Sequence, residues 1–213
     1  VRNLPLDWSK LAFIMTTPVD GTPLFPSWVE TAKKADGVMT ISEFGVNAFR
    51  EAGVQVGLCR PGIEPDKFFR LPDDKRLELR QKMGIAPDAY VHGMMSQHQG
   101  RKAIPATIIA FMEFAKDKPT ARLFLDMDDV SPMGWHIPAM CEQYGWDMSK
   151  IVFRKDAMQR GLNDLNERYN LLDSHSVVAF REGFGLPVLE SMATGCVSMA
   201  QDYCAGTEVL RDG

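Results

Sequence analysis

Two glutamates flank a glycine-containing turn near the end of the chain. Glu182 stands directly before the Gly-x-Gly turn that Gly183 and Gly185 form. Glu190 lies in the helix that we predict over 187–194. Glycines allow backbone N–H groups to approach a ligand closely, and the N-terminus of a helix favours a bound anion. Carboxylates at these positions would accept hydrogen bonds from hydroxyl groups. The residue types therefore predict a phosphate cradle with a hydroxyl-binding group on each side, which a nucleotide-sugar would satisfy.

The same residues also have a purely structural interpretation. A single Gly-x-Gly turn after a strand is a weak signal, and Glu190 near the start of a helix would stabilise the helix dipole without any ligand. If the turn does hold a phosphate, a side chain at Gly185 would block its approach. The spacing alone leaves both the ligand site and the structural turn open.

The elements that must position these residues alternate along the chain. Short apolar runs predict strands over 11–16, 37–41, 90–95, 121–126, 151–153, 176–180 and 197–200. Helical spacing, with Ser42 as one N-cap, predicts helices over 28–35, 43–52, 74–83, 105–116, 137–144, 162–171 and 187–194. Repeated strand–helix units predict an α/β fold with doubly wound parallel sheets. A break rich in proline and glycine over 59–65 places a domain boundary near residue 60.

The composition excludes several classes of protein. The 213 residues are 45% hydrophobic and 24% charged, which is typical of a globular chain. A formal net charge of −4 without a basic block argues against nucleic-acid binding. No apolar run is long enough to span a membrane. The four cysteines have no C-x-x-C or zinc-type spacing, so we expect free thiols in a reducing compartment, the cytoplasm.

An acidic cluster after a predicted strand indicates a different kind of site. Asp126 and Asp128 have the D-x-D spacing of a divalent-metal site. Acidic residues are also common in loops at strand ends, and we interpret these two as loop residues that hold no metal. His98, Trp135 and Trp146 are interpreted in the same way, as loop and packing residues rather than phosphate or sugar ligands.

The segment over 182–190, EGFGLPVLE, resembles the Glu-x7-Glu motif of the retaining glycosyltransferases of family four, the glycosyl transferases of group 1. Further similarities follow the order of that family, at 42–45, 52–54, 60–63, Phe68, 169–170, Asp173, Asp202, Gly206, Glu208 and 212–213. The resemblance covers nearly the whole chain and implies the GT-B architecture of two Rossmann-like domains. Residues 1–60 would be the C-terminal part of the acceptor-side N-domain. Residues 61–213 would form most of the nucleotide-sugar donor domain, incomplete at its C-terminus.

The resemblance implies a role for each residue of the turn. Glu182 would contact the transferred sugar, and Glu190 would bind the ribose hydroxyls of the donor. The phosphate and sugar oxygens of the donor would be held by the backbone of Gly183, Phe184, Gly185 and Leu186.

The family also places an arginine and a lysine, early in the donor domain, against the diphosphate. Lys102 aligns with the lysine, and a cation there would neutralise the leaving nucleotide as the glycosidic bond breaks. Gln97 stands at the arginine position and carries no charge. Either Arg101 reaches the phosphate instead, or donor binding is weakened. A solvated helix start is the structural alternative for Arg101 and Lys102.

The resemblance implies transfer of a hexosyl group from a nucleoside-diphosphate sugar to an acceptor, with retention at the anomeric carbon. The acceptor would be a glycan, a lipid or a small molecule, and no metal or cofactor is implied. The acceptor-side glycine-rich loop and any catalytic histidine in it are not recognised in the sequence. We therefore expect a fragment that is inactive alone, from a cytoplasmic parent that can lie at the membrane periphery.

Two other functions compete with this one. A non-catalytic domain that binds sugar nucleotides or another partner would keep the fold and tolerate the uncharged Gln97. A nicotinamide-dependent oxidoreductase would need G-x-G-x-x-G near its first strand and an acidic residue about 20 positions later. The sequence contains no such pattern.

Overall fold

Two parallel sheets follow one another along the chain, in a computed structural model that describes Asp7 and residues 10–210. The first sheet has the order β1-β2-β3, with β1 Ile14–Thr16, β2 Gly37–Thr40 and β3 Gly57–Leu58. The second has the order β6-β5-β4-β7-β8, with β4 Val91–Met94, β5 Arg122–Leu125, β6 Ile151–Phe153, β7 Ser174–Val177 and β8 Val197–Ala200. Every strand pairing is parallel. The predicted α/β fold with parallel sheets is confirmed.

Helices connect the strands in the predicted alternation. In the first part of the chain these are α1 Pro26–Lys33 and α2 Glu43–Glu51. Around the second sheet they are α3 Asp73–Lys82, α4 Ile104–Phe114, α5 Ile137–Tyr144, α6 Arg154–Gln159, α7 Leu165–Tyr169, α8 Leu186–Ala193 and α9 Gly206–Val209. Ser42 caps α2 as predicted, because its hydroxyl accepts a hydrogen bond from the N–H of Gly45 at 3.2 Å.

The structure differs from the sequence prediction around α6 and α7. One helix was expected over 162–171, and α7 occupies 165–169 of that range, while the preceding α6 was not predicted. Asp156, at the third position of α6, stabilises the start of that helix, because its carboxylate accepts from the N–H of Phe153 at 2.9 Å. Gly161 follows α6 at φ 83°, and Asp164 caps α7 through the N–H of Asn166 at 2.8 Å. Aspartates therefore stabilise the start of both short helices.

The end of β7 also differs, and this matters for the site. The strand was expected to continue to Phe180, but it ends at Val177. Beyond it, the carbonyl of Val178 accepts from the N–H of Ala103 at 3.1 Å, and the N–H of Phe180 donates to the carbonyl of Arg101 at 2.8 Å. The residues after β7 therefore pair with the loop before α4 instead of extending the sheet. The short β3 and α9 were not predicted either.

The domain boundary near residue 60 remains a prediction. The two sheets lie on either side of that position, but separate sheets do not by themselves show that each part folds alone. Contacts also join the two parts: the Glu208 carboxylate accepts from the N–H groups of Glu43 and Phe44, at 2.8 and 2.7 Å. The family similarity at 212–213 lies outside the described residues.

Packing on both faces fixes the position of the second sheet. One face buries a cluster with Met83, Val91 and Leu171, and the other buries a cluster with Ile108 and Leu123. Each fully buried aliphatic side chain contributes roughly 1.5–3 kcal/mol. Strands β5 and β6 are added on one side of β4, and β7 and β8 on the other side. The loops that follow the neighbouring strands β4 and β7 therefore separate at the carboxyl edge of the sheet. This is the usual ligand crevice of an open α/β sheet.

Two histidines inside this sheet are held neutral. The ring nitrogens of His92 lie 2.7 Å from the hydroxyl of Ser174 and 2.9 Å from that of Ser176. His175 accepts from the N–H of Met95 at 3.2 Å. Burial lowers the pKa of His92 to about 4 and, with a small contribution from His92, lowers the pKa of His175 to about 3.

The lowered pKa values of these two histidines predict that the fold loses stability in mild acid. Below about pH 6.5 the unfolded chain protonates both rings, while the folded chain leaves them neutral until about pH 4 or below. The free energy of unfolding should therefore fall as the pH is lowered, by up to about 1.4 kcal/mol per pH unit for each histidine. Urea unfolding between pH 6.5 and 5 should show a smaller slope in His92→Gln and in His175→Gln. An unchanged slope in both variants would rule out this origin.

Candidate functional site

The candidate site is built where the loop after β4 meets the segment after β7. The hydrogen bonds between 101–103 and 178–180 form a short antiparallel contact, with Lys102 opposite Ala179. This contact fixes the loop at the carboxyl edge of the sheet. It also brings Lys102 close to Glu182, although the two are 80 residues apart in the sequence.

Lys102 and Glu182 form a largely buried ion pair. The Lys102 Nζ lies 2.5 Å from Glu182 Oε2, and the side chains are 7% and 15% exposed. An ion pair with so little solvent around it is screened much less than one on the surface. The sequence named both residues as site residues, and the structure brings them together.

The turn after Glu182 has backbone donors without protein partners. In the described chain, the N–H groups of 183–186 make no hydrogen bond to another residue. Gly185 adopts φ 98° and ψ 42°, which favours glycine, and it directly precedes α8. Leu186 is the first helical residue, so Pro187 occupies the second position rather than the first. Donors arranged in this way at a helix start can bind an anion.

The two glycines have different structural reasons. At Gly183 a Cβ atom would lie 3.3 Å from the Cβ of Pro18, so this glycine allows the loop after β1 to pack closely. At Gly185 a Cβ atom would point toward Val188 and Val209, at 3.6 and 4.0 Å. That a side chain at Gly185 would block a phosphate therefore remains a prediction. A substitution there would also strain the backbone, because of its positive φ.

Glu190 lies on α8 and has a buried partner. Its Oε2 accepts a hydrogen bond from the hydroxyl of Tyr169 at 2.6 Å, and Tyr169 is 1% exposed. The sequence marked Tyr169 only as one of the positions that resemble the family, and gave it no role. Its function as a partner of Glu190 depends on the packing of α7 against α8, which residue spacing does not reveal.

Arg101 and Gln97 both have partners within the protein. The guanidinium of Arg101 donates to the carbonyl of Arg181 at 2.9 Å and to the side chain of Gln99 at 3.1 Å. Gln97 accepts from the amide of Gln99 at 3.0 Å. Arg101 therefore supports the backbone next to Glu182.

The acidic cluster after β5 is used for ion pairs. Three cations lie against it, with distances of 2.9 Å for Asp126–Arg168, 2.9 Å for Asp128–Arg154 and 2.5 Å for Asp129–Lys155. The Asp126–Arg168 pair is in ion-pair contact without hydrogen-bond geometry, and burial is the largest influence that raises the pKa of Asp126. The described residues contain no group of three or more side chains that could hold a metal ion.

His98 joins two loops beside the site. Its Nδ1 lies 2.6 Å from the carbonyl of Asp128, and its Nε2 accepts from the N–H of Trp135 at 2.9 Å. Both ring nitrogens therefore have partners within the protein. Trp146 packs against the second core cluster and stacks on Tyr144. A cavity of about 280 Å³ opens beside Gln97 and His98, and Trp146 is not part of its lining.

A cavity of about 530 Å³ lies away from these residues, on one face of the second sheet. Its lining includes Phe111, Phe114 and Met199 together with His92 and Ser176. The polar side chains in it bond mainly to one another. It contains neither of the two glutamates nor Lys102, so we do not place the site there.

Comparison with solved structures identifies the fold. The chain is similar to the C-terminal domain of the glycosyl transferase group 1 family protein LpcC from Francisella tularensis, at 24% identity and a TM-score of 0.57, over 71% of this chain and 76% of that one. It is also similar to WaaG, a glycosyltransferase involved in lipopolysaccharide biosynthesis, at 17% identity and a TM-score of 0.70, over 97% and 62%. The pneumococcal O-GlcNAc transferase GtfA, in complex with UDP and GlcNAc, gives 12% identity and a TM-score of 0.63, over 92% and 38%. No family model and no curated protein matches the sequence.

These similarities concern the fold. The chain spans most of the isolated LpcC domain but only 62% of WaaG and 38% of GtfA. Within the part of the chain that the structure describes, no helix is both long and apolar enough to cross a membrane.

The similarity to these solved structures shows that the chain has the α/β, Rossmann-like fold of a domain of the GT-B glycosyltransferases of group 1.

Proposed function

We propose that this chain is the donor-binding part of a retaining glycosyltransferase that uses a nucleoside-diphosphate sugar. One observation carries the proposal: a buried lysine is paired with Glu182 at the carboxyl edge of β4 and β7, directly before a turn whose N–H groups have no partner among the described residues. The second carboxylate, Glu190, lies on the helix that follows this turn. These are the groups that phosphates, ribose and sugar hydroxyls require. They occur in a chain with a glycosyltransferase fold.

Lys102 and the turn over 183–186 would hold the diphosphate. A cation that is 93% shielded from solvent interacts more strongly with a phosphate than an exposed one does, because water screens it less. An ammonium group has three donors, so Lys102 can keep Glu182 and still donate to phosphate oxygens. When the glycosidic bond breaks, negative charge develops on the leaving phosphate, and these fixed donors would stabilise it.

The two glutamates would bind different parts of the donor, the ribose and the transferred sugar. Glu190 would accept hydrogen bonds from the ribose hydroxyls, and Glu182 from hydroxyls of the transferred hexose. Retention of the anomeric configuration, the hexosyl group and a cytoplasmic location are carried over from the sequence resemblance. The acceptor is a glycan, a lipid or a small molecule. Because GtfA was solved with UDP and GlcNAc, UDP and UDP-N-acetylglucosamine are the first probes to test.

A non-catalytic binding domain is the second candidate, and the arginine position favours it. Gln97 is uncharged, and Arg101 already donates to the carbonyl of Arg181. Donor hydrolysis by the full-length parent separates the two functions. Hydrolysis of the sugar nucleotide together with binding supports the enzyme, whereas binding without hydrolysis supports the second candidate.

Replacing Lys102 should weaken diphosphate binding selectively. In Lys102→Met we expect UDP or GDP to bind about 1.5–3 kcal/mol more weakly, which is the usual contribution of a hydrogen bond to a charged group. Binding of the nucleoside should hardly change, since it lacks the phosphates. Calorimetric titration with nucleoside and diphosphate measures the difference. Lys75→Met, on the exposed side of α3, is the matched control.

The ion pair requires a second variant in this test. Removing Lys102 leaves the 15% exposed Glu182 carboxylate without its partner and can destabilise the fold. Lys102→Met combined with Glu182→Gln removes both charges, and it should show the same selective loss for the diphosphate. Equal losses for nucleoside and diphosphate in both variants would mean that Lys102 acts through folding alone.

A further inference from the structure

Tyr169 makes a hydrogen bond that none of the proposed roles has used. Its hydroxyl donates to Oε2 of Glu190 at 2.6 Å, across the contact between α7 and α8. The side chain is 1% exposed, so water does not compete for the hydroxyl. A buried tyrosine hydroxyl needs a partner, and among the described residues Glu190 is the one that it has.

The ring of Tyr169 is fixed on two sides. Phe68 and His175 both contact it edge-on, with ring centroids 6.0 and 5.7 Å away and interplanar angles of 77° and 80°. The helix that carries it is anchored as well, because Asn166 accepts from the N–H of Phe69 at 3.0 Å and Asn170 accepts from that of Leu71 at 2.9 Å. The hydroxyl therefore has little freedom to leave Glu190.

The direction of this hydrogen bond is also fixed. Burial, followed by the nearby charge of Glu190, raises the pKa of Tyr169, so the phenol keeps its proton and acts as the donor. Glu190 lies on α8 one helical turn beyond the first residues of the helix, on the same element as the phosphate-binding turn. A carboxylate has about four acceptor sites. One of them faces Tyr169, which leaves the other oxygen available to a ligand.

We infer that Tyr169 is a positioning residue that orients the Glu190 carboxylate toward the ribose diol of a bound nucleoside diphosphate. Tyr169 itself would not touch the ligand. It would hold one carboxylate oxygen and so fix the orientation of the Glu190 side chain before the ligand binds. The other oxygen would then meet the 2′- and 3′-hydroxyls, and binding would cost less of the side chain's rotational freedom. This inference deepens the proposed function and rests on it.

The test compares ligands with and without the diol. UDP and GDP, each with its 2′,3′-dideoxy counterpart, are titrated against the whole chain and against Tyr169→Phe. We expect Tyr169→Phe to bind the normal diphosphate about tenfold more weakly and the dideoxy form equally well, which is a loss of about 1.4 kcal/mol for the diol alone. In a Glu190→Ala background, Tyr169→Phe should change neither affinity. Tyr144→Phe, at an exposed tyrosine of α5, is the control.

A second variant changes Glu190 instead of the buried Tyr169, so that the test does not depend on a substitution in the core alone. Glu190→Asp draws the carboxylate back from Tyr169 without changing the core, and it should lose the same preference for the diol. Equal weakening of both ligand forms in Tyr169→Phe would overturn the inference and leave the proposed function intact. A full diol preference in Glu190→Asp would overturn the inference together with the ribose-binding role of Glu190. If the unmodified chain binds neither diphosphate better than its nucleoside, the proposed function itself fails, and the inference fails with it.

Discussion

The contact between Lys102 and Glu182 is the interaction on which the rest of the candidate site depends. It joins the loop after β4 to the segment after β7 at 2.5 Å, in a place where both side chains are largely shielded from water. A buried cation is unfavourable without a partner, so each residue holds the other at the carboxyl edge of the sheet. The turn over 183–186 and the start of α8 come directly after Glu182 in the chain, so the ion pair also sets where they lie. A phosphate that enters the crevice would meet a charge and donors that are already in place.

The remaining contacts hold the neighbouring segments in place. Arg101 bonds to the carbonyl before Glu182, and Tyr169 bonds to Glu190 on α8. The acidic cluster after β5, which has the spacing of a metal site, pairs with cations of α6 and α7. The first sheet also contributes, since Gly183 lets the loop after β1 pack against the turn.

The sequence predicted the parallel α/β fold because alternating apolar runs and capped helices depend on local periodicity. It also named Glu182, Glu190 and Lys102, since a specific motif and its surroundings carry them. Two features were missed for physical reasons. The true end of β7 is set by pairing with residues 101–103. Tyr169 reaches Glu190 only through helix packing. Each depends on long-range contacts, which a single sequence does not contain.

The central claim is that the two glutamates face different parts of one donor, and crossed titrations test it most directly. UDP and UDP-N-acetylglucosamine, and then GDP with its hexose conjugate, are titrated against Glu182→Gln and Glu190→Gln. Glutamine keeps a hydrogen-bonding group opposite Lys102 and Tyr169. Because Glu182→Gln also removes the counter-charge of the buried Lys102, a melting curve of each variant accompanies the titrations. Glu190→Gln should weaken the free nucleotide and the sugar nucleotide alike, by about 1.5–3 kcal/mol, while Glu182→Gln should weaken the sugar nucleotide alone. If the two variants give the same profile for both ligands, the account of this site is wrong.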